Sequence, residues 1–252
     1  MPKDLTGFNP KLKVVNFALL GVVAVSMIAN GWIMGETKDK LGLNSKGLFD
    51  RLSPLSFFSG AGGGAIKLSG NLGEDAVKLA IASGVPGIYG QELNVSFDQV
   101  VPSMTAMKAY DPTYGNKKIV LQGADLKRYV DIGSRIACEY CCGAKSLVFP
   151  NGEAACGCAH SQAMRGLAAY LIQNHGAEYT DDQILRELAR WKGRYFPKQM
   201  TKKMTEQLQN GQYTPDMAAL LLELEVPKYS GQSGDAPLPS SIKDAPGMVG
   251  GC

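Results

Sequence analysis

The sequence predicts a mainly α-helical protein with a small β-hairpin, one N-terminal transmembrane helix and a helical domain carrying a Cys/His metal knuckle. Three observations carry this expectation. An uncharged apolar run fills residues 14–35. Helical spacing of apolar residues recurs between residues 74 and 226. Five of the six cysteines lie between Cys138 and Cys158, on either side of a hairpin signal.

The chain has 252 residues, 45% of them apolar, with 30 glycines and 13 prolines. That composition suits a globular part with substantial loops. The net charge is +3 and no basic stripe with interleaved aromatics appears, which sets nucleic acid aside as a partner.

The run Val14 to Gly35 is 22 residues without a charge. A bilayer core needs ~20 at helical rise. Trp32 suits a membrane interface. Lys3, Lys11 and Lys13 precede the run against Asp4. After it, Glu36, Lys38, Asp39 and Lys40 cancel. By the positive-inside rule, residues 1–13 are cytoplasmic and the main domain is extracytoplasmic. A cleaved signal peptide ending near Ala24-Val25-Ser26 and a buried core helix are the competing readings.

Residues 36–73 read as a linker or a loosely packed segment. The Gly60–Gly64 stretch lacks a following Gly-Lys-Ser/Thr, so it is not a phosphate loop. The helical domain then spans residues 74–226. Helices are expected over Glu74–Ser83, Phe97–Tyr110 and Ala124–Gly133, with a short strand at Ile119–Leu121. Asn151-Gly152 signals the hairpin. Ser161 is a candidate cap for a helix running to about Asn174. Thr180 with Gln183 forms a capping-box pattern for a helix to about Lys192. Pro197 opens a helix to about Asn210, and Thr214-Pro215-Asp216 opens a last one to about Leu224. The Gly-, Pro- and Ser-rich tail, residues 227–252, reads as disordered.

The candidate site comprises Cys138, Cys141, Cys142, Cys156, Cys158 and His160. Thiolates and imidazoles are the ligands taken by Zn(II), Cu(I) and iron–sulfur clusters. Cys138-Glu-Tyr-Cys141 lets two sulfurs converge, and Gly143 allows the backbone to fold back. The second ligand group falls at a helix start, where thiolate charge is stabilised. Met164, one turn after His160, is an additional candidate ligand or a core residue. Met200 and Met204 read as packing. Six candidate ligands exceed the four that zinc needs, a pattern typical of copper(I)-handling or multi-metal sites. A disulfide staple and a thiol–disulfide oxidoreductase using Cys138 and Cys141 are the alternatives.

Knuckle, hairpin and ligands at a helix start resemble the order of treble-clef and ribbon metal sites, although the second pair here is Cys-x-Cys. Cys156-Gly157-Cys158-Ala159-His160, with Tyr140 beside Cys141, resembles the bacterial extracytoplasmic proteins named for a Pro-Cys-Tyr-Cys-Gly-Cys motif. That resemblance implies metal binding.

His175 suits a helix C-terminus. Arg165, Arg186, Arg190 and Arg194, with Lys192, read as a solvated basic face. Cys252 is not four residues from the end, so it is no prenylation site. No His-Glu-x-x-His, Gly-x-Ser-x-Gly or Walker pattern points to an enzyme. The function expected is a membrane-anchored Cu(I)- or Zn(II)-binding protein for storage, delivery or sensing, with a metal donor or acceptor protein as partner. A zinc- or disulfide-stabilised interaction module is the bland alternative.

Overall fold

The computed structural model describes residues 66–229, 231 and 240–251. The expected transmembrane segment 14–35, the N-terminus before it and most of the 36–73 linker lie outside the described residues, as does Cys252. Among the described residues, no helix is long and apolar enough to cross a membrane.

The described residues form helices α1 (Leu72–Ala80), α2 (Tyr89–Glu92), α3 (Val100–Lys108), α4 (Gly123–Gly133), α5 (Ala159–His175), α6 (Asp181–Tyr195), α7 (Pro197–Asn210), α8 (Pro215–Leu220) and α9 (Ser240–Lys243). Local chemistry explains most of the boundaries. Asn71 caps α1 by accepting from the Glu74 N–H, and acidic Glu74 and Asp75 sit in the first turn. Thr180 and Gln183 form a reciprocal capping box on α6. Pro197 begins α7 directly after α6, where its missing N–H costs nothing.

Helix α5 is the axis of the fold. It packs against α3, α4 and α6, while α1 lies on α7 and α8 on α6. Two glycines allow the closest approaches. A Cβ at Gly166 would stand 2.0 Å from the Met107 carbonyl oxygen, so α3 and α5 meet backbone to backbone there. A Cβ at Gly193 would stand 1.8 Å from the Ala80 oxygen at the end of α1. The core between these helices includes Phe97, Leu167, Trp191 and Phe196, all fully buried. Met164, Met200 and Met204 are fully buried in the same core.

Two expected β elements are corrected. Among the described residues there is no strand, and the hairpin reduces to one antiparallel bridge, Val148 with Ala154. The turn itself forms: the Gly152 N–H donates to the Phe149 oxygen and the Phe149 N–H to Glu153. The ladder cannot lengthen because its next groups are taken. The Leu147 N–H donates to Gly133 at the end of α4 instead of to the Ala155 carbonyl opposite it, although the Ala155 N–H still donates to Leu147. Ile119–Leu121 likewise forms no strand. The Lys117 and Ile119 N–H groups donate to Ala109 and Tyr110, which satisfies the carbonyls after α3 instead.

The basic face is also corrected. Arg165 and Lys192 are 0% and 1% exposed, and Arg186 is buried with its guanidinium on the Ala219 and Leu222 carbonyls. Of the tail, Ser240–Lys243 is a helical turn against α7, and Tyr229 donates to the buried Asp75 carboxylate.

The α1–α6 contact gives a direct test. Gly193→Ala adds helix propensity worth about 1 kcal/mol but drives a methyl into a backbone carbonyl. It is expected to destabilise the fold by a net ~1–3 kcal/mol in urea unfolding. Gly87→Ala, with open space around it, is expected to stay within ~0.5 kcal/mol of the parent. Equal effects of the two changes would refute the close approach.

Candidate metal centre

Three segments meet at the start of α5. The knuckle 138–143 follows α4, the return segment 154–158 leads into the helix, and residues 248–251 cross over its first turn. The knuckle closes as a turn in which the Cys141 N–H donates to Cys138, at 3.4 Å. Gly143 completes it with φ +70°, the left-handed region open to glycine.

Cys158 is the N-cap of α5, in place of the expected Ser161. Its sulfur accepts from the Ser161 N–H at 3.4 Å. A thiol here faces the unsatisfied N–H groups of the first turn, which favour the thiolate. Its Sγ also lies 3.5 Å from Cys138 Sγ, close enough for the pair to share a proton. The contact with Cys138, aided by the Ser161 N–H, outweighs burial and holds Cys158 well below the ordinary thiol range. The same contact, with burial, pushes Cys138 far up. Burial, with a contact to Cys142, raises Cys156 to about 11.

His160 is fully buried between Tyr195 and Phe196, with ring centroids 5.0 and 4.9 Å away. Its Nε2 lies 2.9 Å from the Val249 carbonyl oxygen. A carbonyl only accepts, so the proton of the neutral ring sits on Nε2. Nδ1 is then left with its lone pair, buried and without a hydrogen-bond partner among the described residues. A buried polar atom without a partner carries a cost that a ligand would remove. The Val249 N–H donates to Tyr195 at 2.8 Å, so the C-terminal segment is held at two points.

The six sequence-predicted ligands separate into two overlapping groups. Cys138, Cys141, Cys158 and His160 place their ligand atoms within 4.8 Å of one another. Cys142, Cys156 and Cys158 do the same. Cys141 is disulfide-bonded, whereas Cys138, Cys142, Cys156 and Cys158 are free thiols. Either group could hold a metal ion.

The residues that position these ligands escaped the sequence reading. Arg165, on α5, forms a two-pronged ion pair with Asp111 at 2.7 and 3.1 Å, both side chains wholly buried. Its remaining nitrogen donates to the Cys156 oxygen at 2.8 Å and the Leu147 oxygen at 3.3 Å. One guanidinium thus fixes both arms of the hairpin loop, at Leu147 and at Cys156. Glu139, inside the knuckle, accepts from Lys192 and Lys203 at 3.0 Å each. Asp216 accepts from the same two lysines at 2.8 and 3.2 Å. Tyr140 packs edge-on against Phe196, so the knuckle is anchored to α6, α7 and α8.

Two substitutions check this support. Arg165→Met leaves Asp111 charged and unpaired in the core, and is expected to cost ~3–5 kcal/mol in chemical unfolding. A double-mutant cycle with Asp111→Asn is expected to return clear coupling, and additivity would remove the pair from its role. At Asp216, burial raises the pKa, but Lys192 and Lys203 outweigh it and hold the carboxyl at about 2. The folded value lies below the unfolded one, so this stabilisation is present above ~pH 4 and is lost as pH falls through the folded value. Asp216→Asn is expected to cost on the order of 2 kcal/mol near neutral pH, with a penalty that shrinks as acid is added. A penalty independent of pH in urea unfolding would contradict the charge network.

No protein-family model, curated protein or solved structure matches this chain, so the reading of the site rests on its own geometry.

Proposed function

We propose that this chain binds a soft metal ion, Cu(I) or Zn(II), through Cys138, Cys141, Cys158 and His160, and serves in metal storage, delivery or sensing. The carrying observation is the mutual approach of these four ligand atoms within 4.8 Å, with His160 Nδ1 buried and unpartnered beside the sulfurs. Tetrahedral metal–sulfur bonds of about 2.3 Å put two sulfurs ~3.8 Å apart. The Cys138–Cys158 separation of 3.5 Å is close to that. The Val249 carbonyl on Nε2 is the kind of partner that orients a ligating imidazole.

Cys141 joins the set once its disulfide is reduced; a dithiol supplies the two electrons and two protons and is itself oxidised to a disulfide. A ligand sulfur that is oxidised when no metal protects it suits a domain outside the cytoplasm. This agrees with the tether proposed for residues 14–35 and with a metal donor or acceptor protein as partner. Thiol–disulfide exchange by Cys138 and Cys141 suits the site less: Cys138 is fully buried and its thiol is held protonated.

One observation favours a structural metal instead. Cys138 and His160 are both fully buried, and Cys138 merges with the hydrophobic core. Chelation separates the two. The full chain in detergent, purified anaerobically with a reductant, is expected to carry metal by elemental analysis, and its absence would sink the metal reading. Removing the metal is expected to leave the far-ultraviolet circular dichroism unchanged. Loss of helical signal on chelation would instead assign the ion a structural role.

A further inference from the structure

The second sulfur group is unused by the proposed four-ligand site. It consists of Cys142, Cys156 and Cys158, and it shares Cys158 with the first. We propose that the cluster holds two metal ions bridged by the Cys158 thiolate, an inference that rests on the metal-binding reading above. A thiolate sulfur keeps further lone pairs after binding one ion, so it can ligate a second.

The geometry around Cys158 suits a bridge. Its sulfur lies 3.5 Å from Cys138 Sγ and within 4.8 Å of the Cys142 and Cys156 sulfurs, and the Cys158 backbone N–H donates to Cys156 Sγ at 3.4 Å. The Ser161 N–H also points at it. These N–H groups temper the negative charge that accumulates when several thiolates gather. Each thiol that ligates releases its proton to solvent as the ion binds.

The two positions differ in ligand number and exposure. The inner one has four ligands, two of them fully buried. The outer one has three sulfurs and no fourth Cys, His, Asp or Glu among the described residues. Three soft thiolates suit Cu(I), whereas zinc would need a water to complete four-fold coordination. Cys142 is an exposed free thiol whose sulfur makes a long contact, 3.7 Å, to the Cys138 carbonyl and also lies against Cys156. It can turn to an ion without breaking packing. The outer ion is therefore the one within reach of a partner's thiol.

The test counts ions. The full chain in detergent, reduced with a phosphine and desalted anaerobically, is loaded with Cu(I) as its acetonitrile complex. After a second desalting, copper per chain is measured, and X-ray absorption is recorded at the copper edge. The parent is expected to bind two ions with a metal–metal scattering path. Cys142→Ser is expected to bind one and to lose that path while keeping its circular dichroism. One ion in both proteins would overturn the second site and leave the single-ion reading standing. Two ions in both proteins, or two ions without a metal–metal path, would overturn the bridge. No copper in either protein would overturn both readings.

Discussion

The Arg165–Asp111 pair is the interaction on which the rest of the site depends. Removing two such charges from water costs several kcal/mol each, and only a well-made pair offsets that. Here the fork is complete: two nitrogens face the carboxylate, and a third serves the Leu147 and Cys156 carbonyls. Those carbonyls belong to the segment that brings Cys156 and Cys158 to the helix start. The loop therefore has no freedom to drift while the pair is intact. The Leu147 oxygen accepts both from the Ala155 N–H across the turn and from the guanidinium, so the loop's bend is tied to the buried pair.

A second layer of constraint comes from helix packing. Gly166 lies one residue beyond Arg165, and its contact with the Met107 carbonyl brings the end of α3 against α5. Asp111 follows α3 by three residues. The close approach thus delivers the carboxylate to the guanidinium. On the other side, Lys192 and Lys203 hold Glu139 and, with it, the knuckle between Cys138 and Cys141. Each cysteine group is pinned by an ion pair to the helices behind it, so the sulfurs converge through the contacts of the fold itself.

Much of this was legible in the sequence where the determinants are local. Helix α7 begins and ends where Pro197 and Asn210 suggested, and the Thr180–Gln183 box marks α6, because caps act within four residues. The clustering of the cysteines with His160 was legible because their spacing is short. What was not legible depends on distant partners. Arg165 has the composition of a surface residue, and nothing near it announces Asp111, 54 positions away. The hairpin signal at Asn151-Gly152 was real for the turn but silent on the ladder, which ends where the Leu147 N–H turns to Gly133. Cys158 took the capping role because its sulfur, like a serine oxygen, can accept from the third N–H, while Ser161 lies inside the first turn.

The cluster is graded from core to surface, and that gradient shapes its chemistry. Cys138 and His160 are buried, Cys156 and Cys158 are half-buried, and Cys142 is exposed. Buried soft ligands favour retention, because an ion leaving them must cross an apolar shell and strand a charge. Exposed thiols favour exchange, because an incoming sulfur can reach the ion before the old bond breaks. Cys158 stands at the junction, fixed by the helix N-terminus on one side and adjoining both ligand groups. In the proposed metal reading, the exposed Cys142 thiol is the sulfur through which an outer ion would pass to a partner.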